Sequence, residues 1–97
     1  MPVYKMFLVR PTEAWYQLSK EAQDELMGKV GEALTKVGGR RPVLCNSSWA
    51  SEEWTAFGVE EFPTIEALQE HTKLLTELNW YRYIVSVTLL GTEWQSS

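Results

Sequence analysis

His71 is the single histidine of the chain, and histidine alone has an ordinary side-chain pKa near neutrality. It falls three residues after Leu68 and four before Leu75, at the border of an apolar helical stripe. A ring so placed moves a proton if it reaches into a cleft. Otherwise it is a helix residue with its ring on the edge of the core. No carboxylate lies four residues to either side, so His71 makes no metal site on its own helix. One His and one Cys also exclude a His/Cys zinc site. Nothing in the residues calls for a cofactor.

Lys5 stands among apolar neighbours in a run that alternates as a strand. Lysine is seldom buried without a partner. Lys5 is therefore expected to extend its amine to solvent at the strand edge. Turned inwards, it would meet a ligand carboxylate or an internal acid such as Glu77. Phe7 and Val9 share its strand face and would form the floor of the same cleft. Trp15 precedes the main helix as a core plug or a lid. Trp80, Tyr81, Arg82 and Tyr83 form the densest aromatic stretch. Ring faces and phenol tips there, at Trp80 and Tyr83 above all, suit a flat or long apolar ligand. The same rings would also serve to close the end of the core. The candidate ligand-binding set is thus Lys5, Phe7, Val9, Trp15, His71, Trp80 and Tyr83, with His71 the candidate catalytic group. Cys45 has no basic neighbour closer in sequence than Arg41 and reads as a small hydrophobe. Asn46, Ser47 and Ser48 have no triad partners, and no Gly-rich phosphate loop is present.

The elements that carry these residues follow from periodicity and stops. Pro2 to Arg10 is a strand that ends at Pro11, mainly apolar on both faces. Thr12 to Leu18 reads as a short helical turn with Thr12 as its cap. Ser19 caps the main helix, whose stripe is Ala22, Leu26, Val30, Ala33, Leu34 and Val37, and Gly38-Gly39 stops it. Gly28 and Gly31 mark either a tolerated cost or a close backbone approach. Pro42 to Ser48 and Trp54 to Val59 are strands, with Gly58 hinting at a bulge or a close neighbour. Thr64 caps a second helix with stripe Ile65, Leu68, Thr72, Leu75 and Leu78. Tyr83 to Leu90 is the last strand.

This order predicts an α+β fold: ferredoxin-like βαββαβ, both helices on one face of a four-stranded antiparallel sheet. With no linker or low-complexity tract, residues 1–97 read as one domain. The other sheet face, with Tyr4, Met6, Leu8, Ile84 and Leu90, would be bare. A bare face of roughly 600 Å², half of it buried, is worth about 7 kcal/mol before association costs. A second copy is its simplest cover, so a homodimer is expected.

The composition sets the remaining bounds. A net charge of −4 and one basic pair, Arg40-Arg41, argue against nucleic acid as a partner. The longest near-apolar run, Tyr83 to Leu90, is far below the roughly 20 residues of a membrane helix. No signal-peptide pattern is visible, and a lone cysteine suits a reducing compartment, so a cytoplasmic protein is expected. Five Trp, four Tyr and three Phe are many large rings for 97 residues. They lie exposed, line a pocket or meet a second chain.

The element order, the strand Val3-Tyr4-Lys5-Met6-Phe7-Leu8-Val9 and the stretch Phe62-Pro63-Thr64-Ile65-Glu66-Ala67-Leu68 resemble the dimeric α+β barrel superfamily. Within it the chain is similar to small uncharacterised ferredoxin-like proteins of environmental bacteria. Antibiotic-biosynthesis monooxygenases, muconolactone isomerase-like proteins and polyketide cyclases are more distant. The resemblance implies a homodimer with sheets face to face and, in each subunit, an apolar cleft for a small organic molecule. Cyclase-type members carry a second-helix histidine three residues beyond an earlier one. Here His71 occupies the earlier position and Leu74 the later, so that role does not carry over. Haem-binding relatives use an axial histidine, for which His71 is the one available.

Three functions follow. The first is a binder of a fatty-acid-like or small aromatic molecule. The second is a cofactor-free monooxygenase, isomerase or cyclase acting on an aromatic or polyketide-like substrate. The third is a structural dimerisation module.

Overall fold

The computed structural model describes residues 1–95; Ser96 and Ser97, part of the single-domain reading, lie outside the described residues. The chain runs β1 (Val3–Pro11), α1 (Glu13–Tyr16), α2 (Lys20–Lys36), β2 (Arg40–Asn46), β3 (Ala56–Phe62), α3 (Ile65–Glu77), α4 (Trp80–Tyr83) and β4 (Ile84–Gly91). The sheet order is β2-β3-β1-β4, with every pair antiparallel. This is the ferredoxin-like α+β fold.

Local chemistry explains most boundaries. The Ser19 hydroxyl accepts from the Ala22 N–H at 3.1 Å, and the Thr64 hydroxyl from the Ala67 N–H at 3.0 Å, capping α2 and α3. Gly38, at φ +77°, supplies the left-handed turn after α2. Thr12 behaves otherwise than expected. Its hydroxyl makes no cap and instead donates to the Arg82 carbonyl at 2.8 Å, tying the end of β1 to α4. Gly28 and Gly31 have nothing within 4 Å of a built Cβ, so they are tolerated costs. A Cβ on Gly58 would lie 2.6 Å from the Val43 carbonyl oxygen and 2.8 Å from the Phe7 ring, which is the close neighbour foreseen for it.

Two strands run further than their sequence suggests. β3 continues through Glu60 and Glu61, because each carboxylate meets a cation on a neighbouring strand. β2 starts at Arg40, which holds Glu61 through two hydrogen bonds of 2.6 and 3.1 Å. Pro42 is accommodated because β2 is an edge strand whose register shifts between Arg40 and Val43.

Helices and sheet share a thin core. Val3, Leu34, Phe62 and Leu68 form one buried cluster, and Val30, Ala33 and Leu75 another, with Leu26, Leu74 and Trp80 packed against the second. The buried stripe of α3 is Leu68, His71 and Leu75, whereas Ile65, expected inside, is exposed.

Cross-strand pairing fixes the sheet faces. Lys5, Phe7, Val9 and Pro11 pair with Leu90, Thr88, Ser86 and Ile84 on the helix side. Met6, Leu8 and Arg10 pair with Leu89, Val87 and Val85 on the outer side. The expected outer placement of Ile84 and Leu90 is therefore corrected by one residue. β4 is apolar on both faces, so its pattern does not choose between them. Met6, Val43, Phe57, Val85, Val87 and Leu89 make the outer face apolar and exposed. Among the described residues, no helix is long and apolar enough to cross a membrane.

Candidate functional site

A cavity of about 270 Å³ lies between the helix side of the sheet and α1 to α4. Alternation along β1 directs Lys5, Phe7 and Val9 into it. Met27 and Val30 of α2 and Leu75 of α3 line the opposite side. Ser86 and Thr88 of β4 supply hydroxyls along one edge. At the far end Trp15 and Trp80 meet edge to face, with ring centroids 6.2 Å apart. Thus α1 and α4, one helical turn each, join to close the mouth.

The other end is charged. Lys5 and Glu60 are direct cross-strand partners of β1 and β3, and Arg41 reaches Glu60 from β2. Arg41 donates from Nε and Nη2 to Glu60 Oε2, at 3.3 and 3.1 Å. Lys5 Nζ stands 3.9 Å from Glu60 Oε1, too far for a hydrogen bond. Lys5 is only 9% exposed, so the expected reach to solvent does not occur, and its acid is Glu60 rather than Glu77. Burial holds the Lys5 pKa below its ordinary value, against the pull of Glu60 and with the help of Arg41.

His71 closes this end from α3 at 1% exposure, its ring 5.1 Å from that of Phe62. It is interior, not half-exposed as the helix-border position suggests. Neither ring nitrogen has a hydrogen-bond partner among the described residues. Burial lowers its pKa, Glu60 opposes that, and Lys5 and Arg41 add to it, so the ring is neutral at pH 7. The Tyr81 phenol also lines the cavity, its pKa raised by burial and then by Glu60, so it stays protonated.

The fold thus gathers Lys5, Phe7, Val9, Trp15, His71 and Trp80 around one space. Tyr83 is not among them: it borders a separate hollow against Leu18, Ala22 and Leu26. The helical turn of α4 runs through Tyr83, so the strand alternation that feeds the cavity begins at Ile84. Sequence reasoning named Tyr81 in the aromatic stretch but left it out of the binding set, and it missed Arg41 and Glu60. In Val59-Glu60-Glu61-Phe62 the available signal for Glu60 was its place two residues before Phe62, on the same strand face. Arg41 gave none, because its role depends on strand pairing. Cys45 sits on the outer side, opposite Phe57.

No protein-family model matches the sequence, and no curated protein matches it. Solved structures do. A mutant chlorite dismutase from Candidatus Nitrospira defluvii superposes with a TM-score of 0.74 at 19% identity, covering 93% of this chain and 39% of that one. The imidazole complex of the same organism's chlorite dismutase gives 0.75 at 14% identity, over 98% and 41%. A protein of unknown function from Rhodopseudomonas palustris gives 0.71 at 17% identity, over 98% of this chain and 84% of that one. At these identities the likeness is one of fold, and the chain spans about two fifths of the chlorite dismutase chains.

Axial haem ligation does not fit the residues present. Both nitrogens of His71 are enclosed, so an iron atom has no approach to either. The cavity, about 270 Å³, stands at the small end of ligand sites, about 300–1,000 Å³, which suits a small guest rather than a macrocycle.

Proposed function

We propose that this protein is a homodimeric binder of a small apolar or aromatic molecule, held between helices and sheet. The observation that carries the reading is the cavity itself. Its walls are Phe7, Val9, Met27, Val30 and Leu75, Trp15 and Trp80 stand at one end, and Lys5, Arg41 and Glu60 gather at the other, with Ser86 and Thr88 along one edge. Such a space favours a guest with an apolar body and one polar end. The dimer half of the reading is supported by the exposed outer face of Met6, Val43, Phe57, Val85, Val87 and Leu89. A second copy of that face is its natural cover.

Mass spectrometry of a solvent extract from purified protein, followed by thermal-shift screening against fatty acids and small aromatics, tests the binding half. A co-purified apolar compound, or a rise in Tm with members of the panel, is the expected result. A clean extract with no shift from any compound contradicts it.

One observation favours a second reading. Lys5 and Tyr81, both with displaced pKa values, face the same cavity, as groups do in cofactor-free catalysis. On that reading the guest is a substrate, an aromatic or polyketide-like molecule, and Tyr81 is its proton donor. Tyr81→Phe should then cut turnover by about 100-fold or more once a substrate is in hand. Unchanged turnover removes Tyr81 from the chemistry.

A further inference from the structure

The whole chain is acidic, with net charge −4, yet this cavity is not. Among the described residues, its charged lining groups are Lys5, Arg10, Arg41 and Glu60. Arg10, which borders the cavity, belongs to the outer face of β1, far from Lys5, held by Glu53 at 3.5 Å and stacked 4.9 Å from the Trp54 ring centroid. What remains at the closed end is two cations against one carboxylate. Glu60 Oε2 is committed to Arg41 through two hydrogen bonds. Its Oε1 is too distant to accept one from Lys5. The Lys5 ammonium is thus ion-paired with Glu60 but not hydrogen-bonded to it, its donors are free among the described residues, and the three groups together carry one net positive charge. A largely buried ammonium whose hydrogen-bond donors stay unfilled is costly. Neutral His71 offsets none of it.

We propose that the Lys5–Arg41–Glu60 end is an anion subsite, and that the guest is an apolar or aromatic monocarboxylic acid whose carboxylate rests on the Lys5 ammonium. This deepens the binding reading above and rests on it. One negative charge brings the closed end to neutrality, and two would overshoot. The body of the acid then extends along β1 over Phe7 and Val9. Alternate residues of a strand are about 6.6 Å apart, so those two side chains mark the path from the charged end towards the Trp15–Trp80 mouth. Ser86 and Thr88 flank that path with hydroxyls, while the opposite walls are aliphatic.

Calorimetric titration with naphthalene-2-carboxylate and naphthalene-2-carboxamide tests the proposal. The two probes have nearly the same shape and differ in charge. Wild-type protein should bind the acid at least about tenfold more tightly, the equivalent of 1.4 kcal/mol. Lys5→Met should abolish that preference and leave the amide within about twofold of wild type. Lys29→Met, which removes an exposed cation on α2, should change neither. Equal binding of acid and amide by wild type overturns the anion subsite while leaving the cavity reading standing. An acid preference that survives Lys5→Met, or disappears in Lys29→Met, also overturns it. Binding of neither probe overturns the subsite and the cavity reading together. The wild-type comparison decides the matter even if Lys5→Met does not fold.

Discussion

His71 shows how burial shifts the titration of a reactive residue type. Its ring is interior, neutral and packed on Phe62, with both nitrogens enclosed. The groups facing it are Glu60, Lys5 and Arg41, and burial outweighs the first. The unfolded chain gains a proton on His71 near pH 6.5, while the folded chain resists it until lower pH. Stability is therefore full above about pH 6.5 and falls as pH drops through it, by up to about 1.4 kcal/mol per pH unit. Urea titrations at pH 7.5 and 5.5 should show this loss in wild type. In His71→Phe this contribution should vanish, giving a smaller loss. Equal losses in the two proteins would mean that the ring takes up its proton as readily when folded. Glu60 carries a different burden, since its removal strands two cations. Glu60→Leu should cost about 3 kcal/mol or more in the same assay, because an unpaired buried charge is worse than none.

β1 shows which parts of the architecture were legible in the chain. Its alternation gave the shared face of Lys5, Phe7 and Val9, and the caps at Ser19 and Thr64 gave both long helices, because those signals are local. What depends on pairing was hidden. The Glu60–Arg41 contact joins residues 19 apart on different strands, and no local pattern announces it. β4 failed for another reason. With Ile84 and Leu90 on one face and Val85, Val87 and Leu89 on the other, its hydrophobicity does not say which side meets the helices. That ambiguity of one residue misplaced Ile84 and Leu90, while Tyr4, Met6 and Leu8 of β1 lie on the outer face as expected. The close approach of β2, β3 and Phe7 at Gly58 offers a check on the pairing itself. Gly58→Ala should destabilise by about 1–3 kcal/mol, since the new methyl meets a backbone oxygen that cannot move aside. A neutral result would contradict the register described for β2 and β3.

The molecule as a whole has two apolar surfaces that its own helices leave open, one inside and one outside. The helices contribute only a thin core because the space beneath them is shared with the cavity. Among the described residues nothing covers the outer face of the sheet, and on the reading proposed here a twin covers it. Val87 is 53% exposed and Leu89 65% exposed, so a charge at either position has solvent available in a single copy. Val87→Glu combined with Leu89→Glu should leave the fold intact and shift sedimentation from dimer to monomer at micromolar concentration. A wild-type protein that already sediments as one copy would remove the dimer from the account. It would leave the cavity reading standing, since that reading rests on the helix side of the sheet and not on its outer face.

The central claim is that the space between sheet and helices receives a guest. Amide and indole NMR shifts followed during titration with naphthalene-2-carboxylate and its amide address it most directly. The account predicts saturable shifts confined to Lys5, Phe7, Val9 and Ser86 and to the indole N–H groups of Trp15 and Trp80. Shifts absent from those residues, or appearing on the outer strand face at Val85, Val87 and Leu89, would contradict it.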